Sequence, residues 1–304
     1  MQITVQAKLL PTKKQIVLLN ATTKEYICSA NAAVAEYVAA GKNLKYSSKN
    51  IPADLPGALR GQIAQDIRSI FQKYTKTVKV NAKKATEKQR TVKVSIFKKP
   101  VAIWNNQNFK VQGNEISFPV RLSGKSKRIS IKTALTDYQT NLLRNKLGTL
   151  RITQKSGKYI AQIAVQIQEA EAVGTQIIGI DLGLKIPAVA VSQSGKVRFF
   201  GNGRQNKEQR WMKDQDHKIS RQIVNFAKEN HASVIRLEKL SGIRQTARIS
   251  RKNEKNLHSW SFYRLAQYIK YKAKLAGIAV VYVNPKYTSQ TCPVCGKRNK
   301  ANRW

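Results

Sequence analysis

Ile177-Ile178-Gly179-Ile180-Asp181-Leu182-Gly183 is the stretch on which the reading of this chain turns. The apolar run reads as a buried strand, and Asp181 terminates it. A second run, Val234-Ile235-Arg236-Leu237, ends the same way in Glu238. With only 16 acidic residues each can be weighed, and most of the others fall in helices or loops, where solvation accounts for them. Burying a carboxylate costs several kcal/mol unless a charge compensates it, and a divalent cation is an efficient compensator. The plainer reading is that each acid caps its strand or pairs with one of the 56 basic residues.

Outward from Asp181, residues 188–192 and 197–200 read as further strands, residues 208–229 as a helix and residues 233–237 as the strand that leads to Glu238. A basic, polar loop occupies 244–255; Phe262, Leu265, Ile269, Ala273 and Ala276 then mark another helix, and residues 278–283 a last strand. Strand, strand, strand, helix, strand, helix, strand is the order expected of a ribonuclease H-like sheet. Carboxylates at the ends of adjacent strands can hold two Mg²⁺ ions roughly 4 Å apart, which clamp the attacking and leaving oxygens of a phosphoryl displacement. Gly183 removes a side chain where a phosphate backbone would approach.

The first half has a different texture. A strand at 2–9 is followed by Pro11-Thr12, and Thr12 with Gln15 has capping-box spacing. A helix is expected there, with Ile16, Leu19, Ile27, Ala30, Val34 and Tyr37 on its apolar face and Gly41 at its end. A second amphipathic helix follows Pro56, through Leu59, Ile63, Ile67, Ile70 and Tyr74. From about Lys76 the period becomes two, and hairpins are expected around Gly113-Asn114 and Ser156-Gly157. These strands, together with the first, suggest a small antiparallel barrel with the helical segment inserted in it.

Lys+Arg total 56 against 16 acids, a formal net charge of +40, so a polyanionic partner is expected. No signal-peptide block or membrane-length apolar stretch is present, which points to a soluble, cytoplasmic protein with no membrane partner. The 3 cysteines do not make a disulfide framework. Cys28 reads as a small buried thiol, whereas Cys292 and Cys295 form a Cys-x-x-Cys pair suited to metal more than to redox chemistry. Basic clusters at 83–99, 125–128 and 244–255 would neutralise phosphates. Phe97, Trp104, Phe109 and Tyr138 interleave with them as stacking candidates, against core packing as the commoner fate of an aromatic.

Gly179-Ile180-Asp181-Leu182-Gly183 with Ala188 and Val189 resembles the first motif of the RuvC-type nuclease domain of TnpB proteins, transposon-encoded relatives of the type V CRISPR effectors. Residues 233–240 with Ile243 and Arg244 resemble the second. Trp260-Ser261-Phe262, Gly277-Ile278 and the stretch from Pro285 to Gly296 are similar to the segment entering that family's zinc ribbon. The resemblance implies a mixed α/β chain: an antiparallel β-barrel-like wedge domain (1–10 and 76–173), a helical recognition segment (11–75), a RuvC domain with a ribonuclease H-like fold (174–284) and part of a zinc ribbon (285–304). It further implies an RNA-guided, metal-dependent DNA endonuclease, with guide RNA and target DNA as partners. Asp181 and Glu238 would be catalytic Mg²⁺ ligands, and Cys292 and Cys295 half of a Zn²⁺ site. Arg244, Arg248, Arg251, Lys252 and Lys255 would guide a strand toward the metals.

Two departures qualify that expectation. The family's third catalytic acid is an Asp after the ribbon, and the last acid here is Glu254; the second Cys-x-x-Cys pair is likewise missing before Trp304. A fragment of a longer reading frame or a natural truncation with impaired cleavage is expected, and a nuclease-deficient RNA-guided DNA-binding protein acting by occupancy is the alternative. A general RNA-binding protein of ribosomal type is the third reading.

Overall fold

In the computed structural model, the described residues are 1–122, 124–171, 174–183, 186–201, 209–240, 262–284 and 297–299. The chain divides into two compact units, Met1–Ile167 and Gln168–Trp304.

The first unit is built on a seven-stranded antiparallel sheet: β1 (Gln2–Leu10), β2 (Val101–Trp104), β3 (Lys110–Gln112), β4 (Glu115–Leu122), β5 (Lys125–Ala134), β6 (Lys146–Lys155) and β7 (Lys158–Gln166). Their order is β2-β6-β7-β1-β5-β4-β3, so the expected barrel is an open half-barrel with β2 and β3 at its edges. Strict alternation drives the packing. Along β7, Tyr159, Ala161, Ile163 and Val165 are buried while the residues between them are not. Trp104 is fully buried against Phe118, and its indole N–H donates to the Pro119 carbonyl at 3.0 Å, which removes the one polar cost of burying that ring.

Two long helices, α1 (Lys13–Ala40) and α2 (Gly57–Ala82), supply the other side of this core through Leu19, Tyr26, Tyr37, Leu59, Ile63 and Ile67. Thr12 and Gln15 form the reciprocal capping box, and α1 stops at Gly41. A short helix, α3 (Asp137–Leu143), starts on a second box, Thr136 with Gln139. Helix α2 runs past Lys76 to Ala82, against the expected change of period there. The alternating Thr77, Val78 and Val80 have low helix propensity, but adding a residue to a formed helix needs no new nucleus. Beyond it lies no strand until Val101, only a short 3₁₀ turn at Thr86–Lys88. Two asparagines hold this stretch in place of a sheet partner. Asn31 exchanges hydrogen bonds with both backbone groups of Phe97 at 2.8 and 2.9 Å, and Asn81 does the same for Arg90 at 2.7 and 3.1 Å.

The second unit contains β8 (Gln176–Asp181), β9 (Ala188–Ser192), β10 (Val197–Phe200), α4 (Gln209–Glu229), β11 (Ala232–Glu238), α5 (Phe262–Leu275) and β12 (Ala279–Val283). The sheet order is β10-β9-β8-β11-β12. Strands β8, β11 and β12 run parallel to their neighbours in this set, and β9 and β10 are antiparallel. Ile178, Ile180, Ala188, Ala190, Ile235 and Leu237 share one core with Ile219, Ile223 and Ala227 of α4 and Leu265, Ile269 and Ala273 of α5. Both helices therefore cover the same face of the sheet, as two parallel crossovers of one hand require.

Among the described residues no helix is long and apolar enough to cross a membrane.

Candidate metal and nucleic-acid site

Asp181 is the last residue of β8 and Glu238 the last of β11. The two strands are parallel neighbours with Ile180 opposite Leu237, and the two acids are the next residue on each. Asp181 also faces Val189 of β9, and Glu238 faces Val283 of β12, so one row crosses the sheet through both carboxylates. Ile180 and Leu237 are buried on the helix side, and side chains alternate along a strand. The acids therefore stand together on the opposite face, Asp181 exposed and Glu238 half-buried. Neighbouring strands lie about 4.8 Å apart, a spacing at which one divalent cation can touch both carboxylates. One row back on the same face, Arg236 is exposed opposite Gly179.

Gly183 has a steric reason of its own, beside the phosphate approach expected of it. A Cβ there would lie 2.7 Å from the Ile186 carbonyl oxygen, so the close approach of that carbonyl already demands glycine. Among the described residues no group of at least three His, Cys, Asp or Glu side chains is arranged to hold a metal, and two carboxylates alone do not fill the six positions of an octahedral Mg²⁺. Arg244, Arg248, Arg251, Lys252, Lys255, Cys292 and Cys295 lie outside the described residues.

The basic clusters of the first unit are on the surface: Lys83, Lys84, Lys88, Arg90, Lys93, Lys98 and Lys99 are exposed, as are Lys125, Lys127 and Arg128. The aromatics among them divide. Trp104 and Phe109 are core residues, Phe97 packs edge-on against Tyr26, and of the four only Tyr138 stands clear, at 58% exposure. Cys28 is exposed rather than buried, on the outer side of α1.

Sequence reasoning missed a polar cluster between α4 and α5. Asp216 sits on a helix where a solvated acid is expected, yet it is completely buried and accepts from the Arg264 guanidinium at 2.7 Å. Lys272 is buried beside it, donating to Ser220 Oγ at 2.7 Å and to the His217 carbonyl. Burial, and then the charge of Arg221, pushes the Lys272 ammonium down to about 8. His217 stacks on Tyr268 with ring centroids 4.0 Å apart, and its pKa is lowered by burial first and by Lys272 next. No local signal in the sequence marks Asp216, because its partner Arg264 lies 48 residues on, near the start of α5. The cluster lies on the helix layer, on the far side of the sheet from Asp181 and Glu238, and it ties the two helices together.

Residues 262–304 match the family described as the Cas12f1-like TNB domain. The TnpB-like protein MJ0751 of Methanocaldococcus jannaschii is 28% identical over 200 residues, a span of 66% of this chain and 70% of that protein. The CRISPR-associated endodeoxyribonuclease Cas12f1 of Syntrophomonas palmitatica is 24% identical over 323 residues, 85% of this chain and 63% of the relative. A Cas12f1 chain solved by cryo-EM in a Cas12f1-sgRNA-target DNA complex has a similar fold, with a TM-score of 0.67 at 14% identity, over 95% of this chain and 77% of that one.

Proposed function

We propose, from the premise that this chain is a TnpB-family protein, that it is an RNA-guided DNA endonuclease whose second unit is a RuvC-type, ribonuclease H-like nuclease domain. The observation that carries the proposal is the shared row of Asp181 and Glu238 at neighbouring strand ends, on the sheet face opposite α4 and α5. A chain with the charge of a polyanion binder has there a local concentration of negative charge that nothing in the sheet core requires.

Asp181 and Glu238 would hold Mg²⁺, which when bound supplies Lewis-acid activation of a phosphodiester. The rest is the work of the chain. Arg236, one row from the pair, neutralises phosphate on the same face. Arg244, Arg248, Arg251, Lys252 and Lys255 follow β11 in sequence and would deliver a strand to its end. Exposed lysines of the first unit provide affinity for guide RNA and target DNA that falls with salt. Cys292 and Cys295 would bind Zn²⁺ only with a second pair of ligands. Transposition and DNA recombination are the processes such an enzyme would serve.

A specific observation favours the second reading, DNA binding by occupancy: no third acid joins the pair among the described residues. One experiment separates the two. RNA co-purifying with the chain is sequenced, and DNA complementary to its variable end is offered with Mg²⁺. Cutting that disappears in both Asp181→Ala and Glu238→Ala while binding persists establishes the endonuclease. Guided binding without cutting establishes occupancy, and cutting undiminished in both variants sinks the assignment of the site.

A further inference from the structure

Helix α5 carries Tyr263, Gln267 and Lys270 at i, i+4 and i+7, one stripe of its surface. The Tyr263 ring is 77% exposed, more than any other large apolar side chain among the described residues. Lys270 is exposed too, and the helix sequence FYRLAQYIKYKAKL contains no acid. Beside the stripe runs β12, the edge strand of the sheet. Its Tyr282 is 37% exposed, and the Lys270 ammonium lies 5.9 Å from the centre of that ring. The Tyr282 hydroxyl is raised in pKa, first by burial and then by the Tyr263 hydroxyl, which brings the two phenols within electrostatic reach. The stripe starts at the end of the sheet where β12 closes, and there Val283 faces Glu238. One turn further on, Lys274 is ion-paired with Glu169 at 2.9 Å, which bounds the unneutralised part.

We propose that Tyr263, Tyr282 and Lys270 form a binding track for single-stranded nucleic acid on the helix side of the edge strand, ending at the sheet end that carries Asp181 and Glu238 on the opposite face. Tyr263 offers an exposed ring to an unpaired base, and Lys270 offers a cation to the backbone about three nucleotides on. The i to i+7 distance on a helix is about 10 Å, the length of roughly three stacked nucleotides. A duplex keeps its base faces covered and gains nothing from Tyr263. The track deepens the nucleic-acid part of the function proposed above and does not depend on the carboxylates binding metal.

The test is binding in EDTA, where nothing is cut. Fluorescence anisotropy measures the full chain with labelled oligothymidylate, oligouridylate and duplex DNA of about 12 nucleotides, a length within one ordinary single-strand site. Tyr263→Ala weakens one or both single strands by roughly tenfold and duplex by less than about twofold, and Tyr263→Phe restores the affinity. Lys270→Gln lowers the salt slope by about one. The thymidylate and uridylate arms show whether DNA or RNA occupies the track. Unchanged single-strand affinity in Tyr263→Ala, or equal losses on single strand and duplex, overturns the track and leaves the nuclease reading standing. Wild-type chain that binds no nucleic acid sinks both.

Discussion

Asp181→Asn tests the metal reading without any nucleic acid. Asp181 and Glu238 follow the register pair Ile180 and Leu237, so their backbones are about 4.8 Å apart. Like charges opposed across neighbouring strands cost roughly 0.2–1 kcal/mol, and the exposure of Asp181 keeps the value inside that range. With EDTA present, Asp181→Asn therefore stabilises the second unit by up to about 1 kcal/mol. For a unit spanning residues 168–304 that is a rise of about 4 °C in Tm. Adding Mn²⁺ or Mg²⁺ at a hundredfold over its Kd stabilises the wild type by about 2.7 kcal/mol, or roughly 10 °C. The variant has lost one anionic ligand and keeps little of that gain, so the order of the two midpoints reverses. Scanning calorimetry of wild type, Asp181→Asn and Glu238→Gln, each with chelator and with metal, reads both effects. Metal shifts of equal size in all three proteins, or none in the wild type, would refute the shared site.

Two further outcomes follow from the same unit. Lys272 has its pKa lowered from 10.5 to about 8, so between those pH values the unfolded chain binds more protons and stability rises with pH; below pH 8 the cost of burying the charge is present in full. Lys272→Met has no such titration, and in urea unfolding the wild type gains on it from pH 8 to pH 10; a difference flat in pH would contradict the burial argument. Gly277 has φ of +74°, and a Cβ there would lie 2.3 Å from the Glu171 carbonyl oxygen, so Gly277→Ala costs about 2–4 kcal/mol by the same urea measurement. A loss under about 1 kcal/mol would show that the turn relaxes.

Much of the second unit was legible because its strands are short apolar runs and its helices have a strong stripe. Residues 188–192 and 197–200 are β9 and β10 with the expected bounds, and β8 and β11 differ by a residue at their ends. Thr12, Gln15 and Gly41 marked α1 because caps are local chemistry, readable without tertiary structure. Thr136 and Gln139 carry the same signal, and α3 could have been found from them. What could not be read was decided by partners distant in sequence. The polar start of β5, Lys125 to Arg128, has no apolar face of its own and is a strand because β4 pairs with it. The stretch after α2 stays out of the sheet because Asn31 and Asn81 satisfy its backbone from two helices. Asp216 could not be told from a surface acid until Arg264, 48 residues on, was placed against it. Adjacency of the two strand-end carboxylates is likewise a property of the sheet order, which element order alone leaves open.

Strand β1 has a consequence for how the protein is made. Its residues Gln2 to Lys8 pair with Gln166 to Ile160, and Lys8 to Leu10 with Ala134 to Lys132. On a ribosome adding about 5–20 residues each second, this strand waits on the order of ten seconds before either neighbour emerges. Through that interval its two hydrogen-bonding edges and the side chains of Val5, Ala7 and Leu9 have no permanent cover. Helices α1 and α2 are synthesised during the wait and can shelter its apolar side, but the ladder itself closes late and over long loops. Fusions placed at the amino terminus therefore act on the central strand of the half-barrel, whereas the β2 and β3 edges tolerate extra chain without breaking a ladder on both sides.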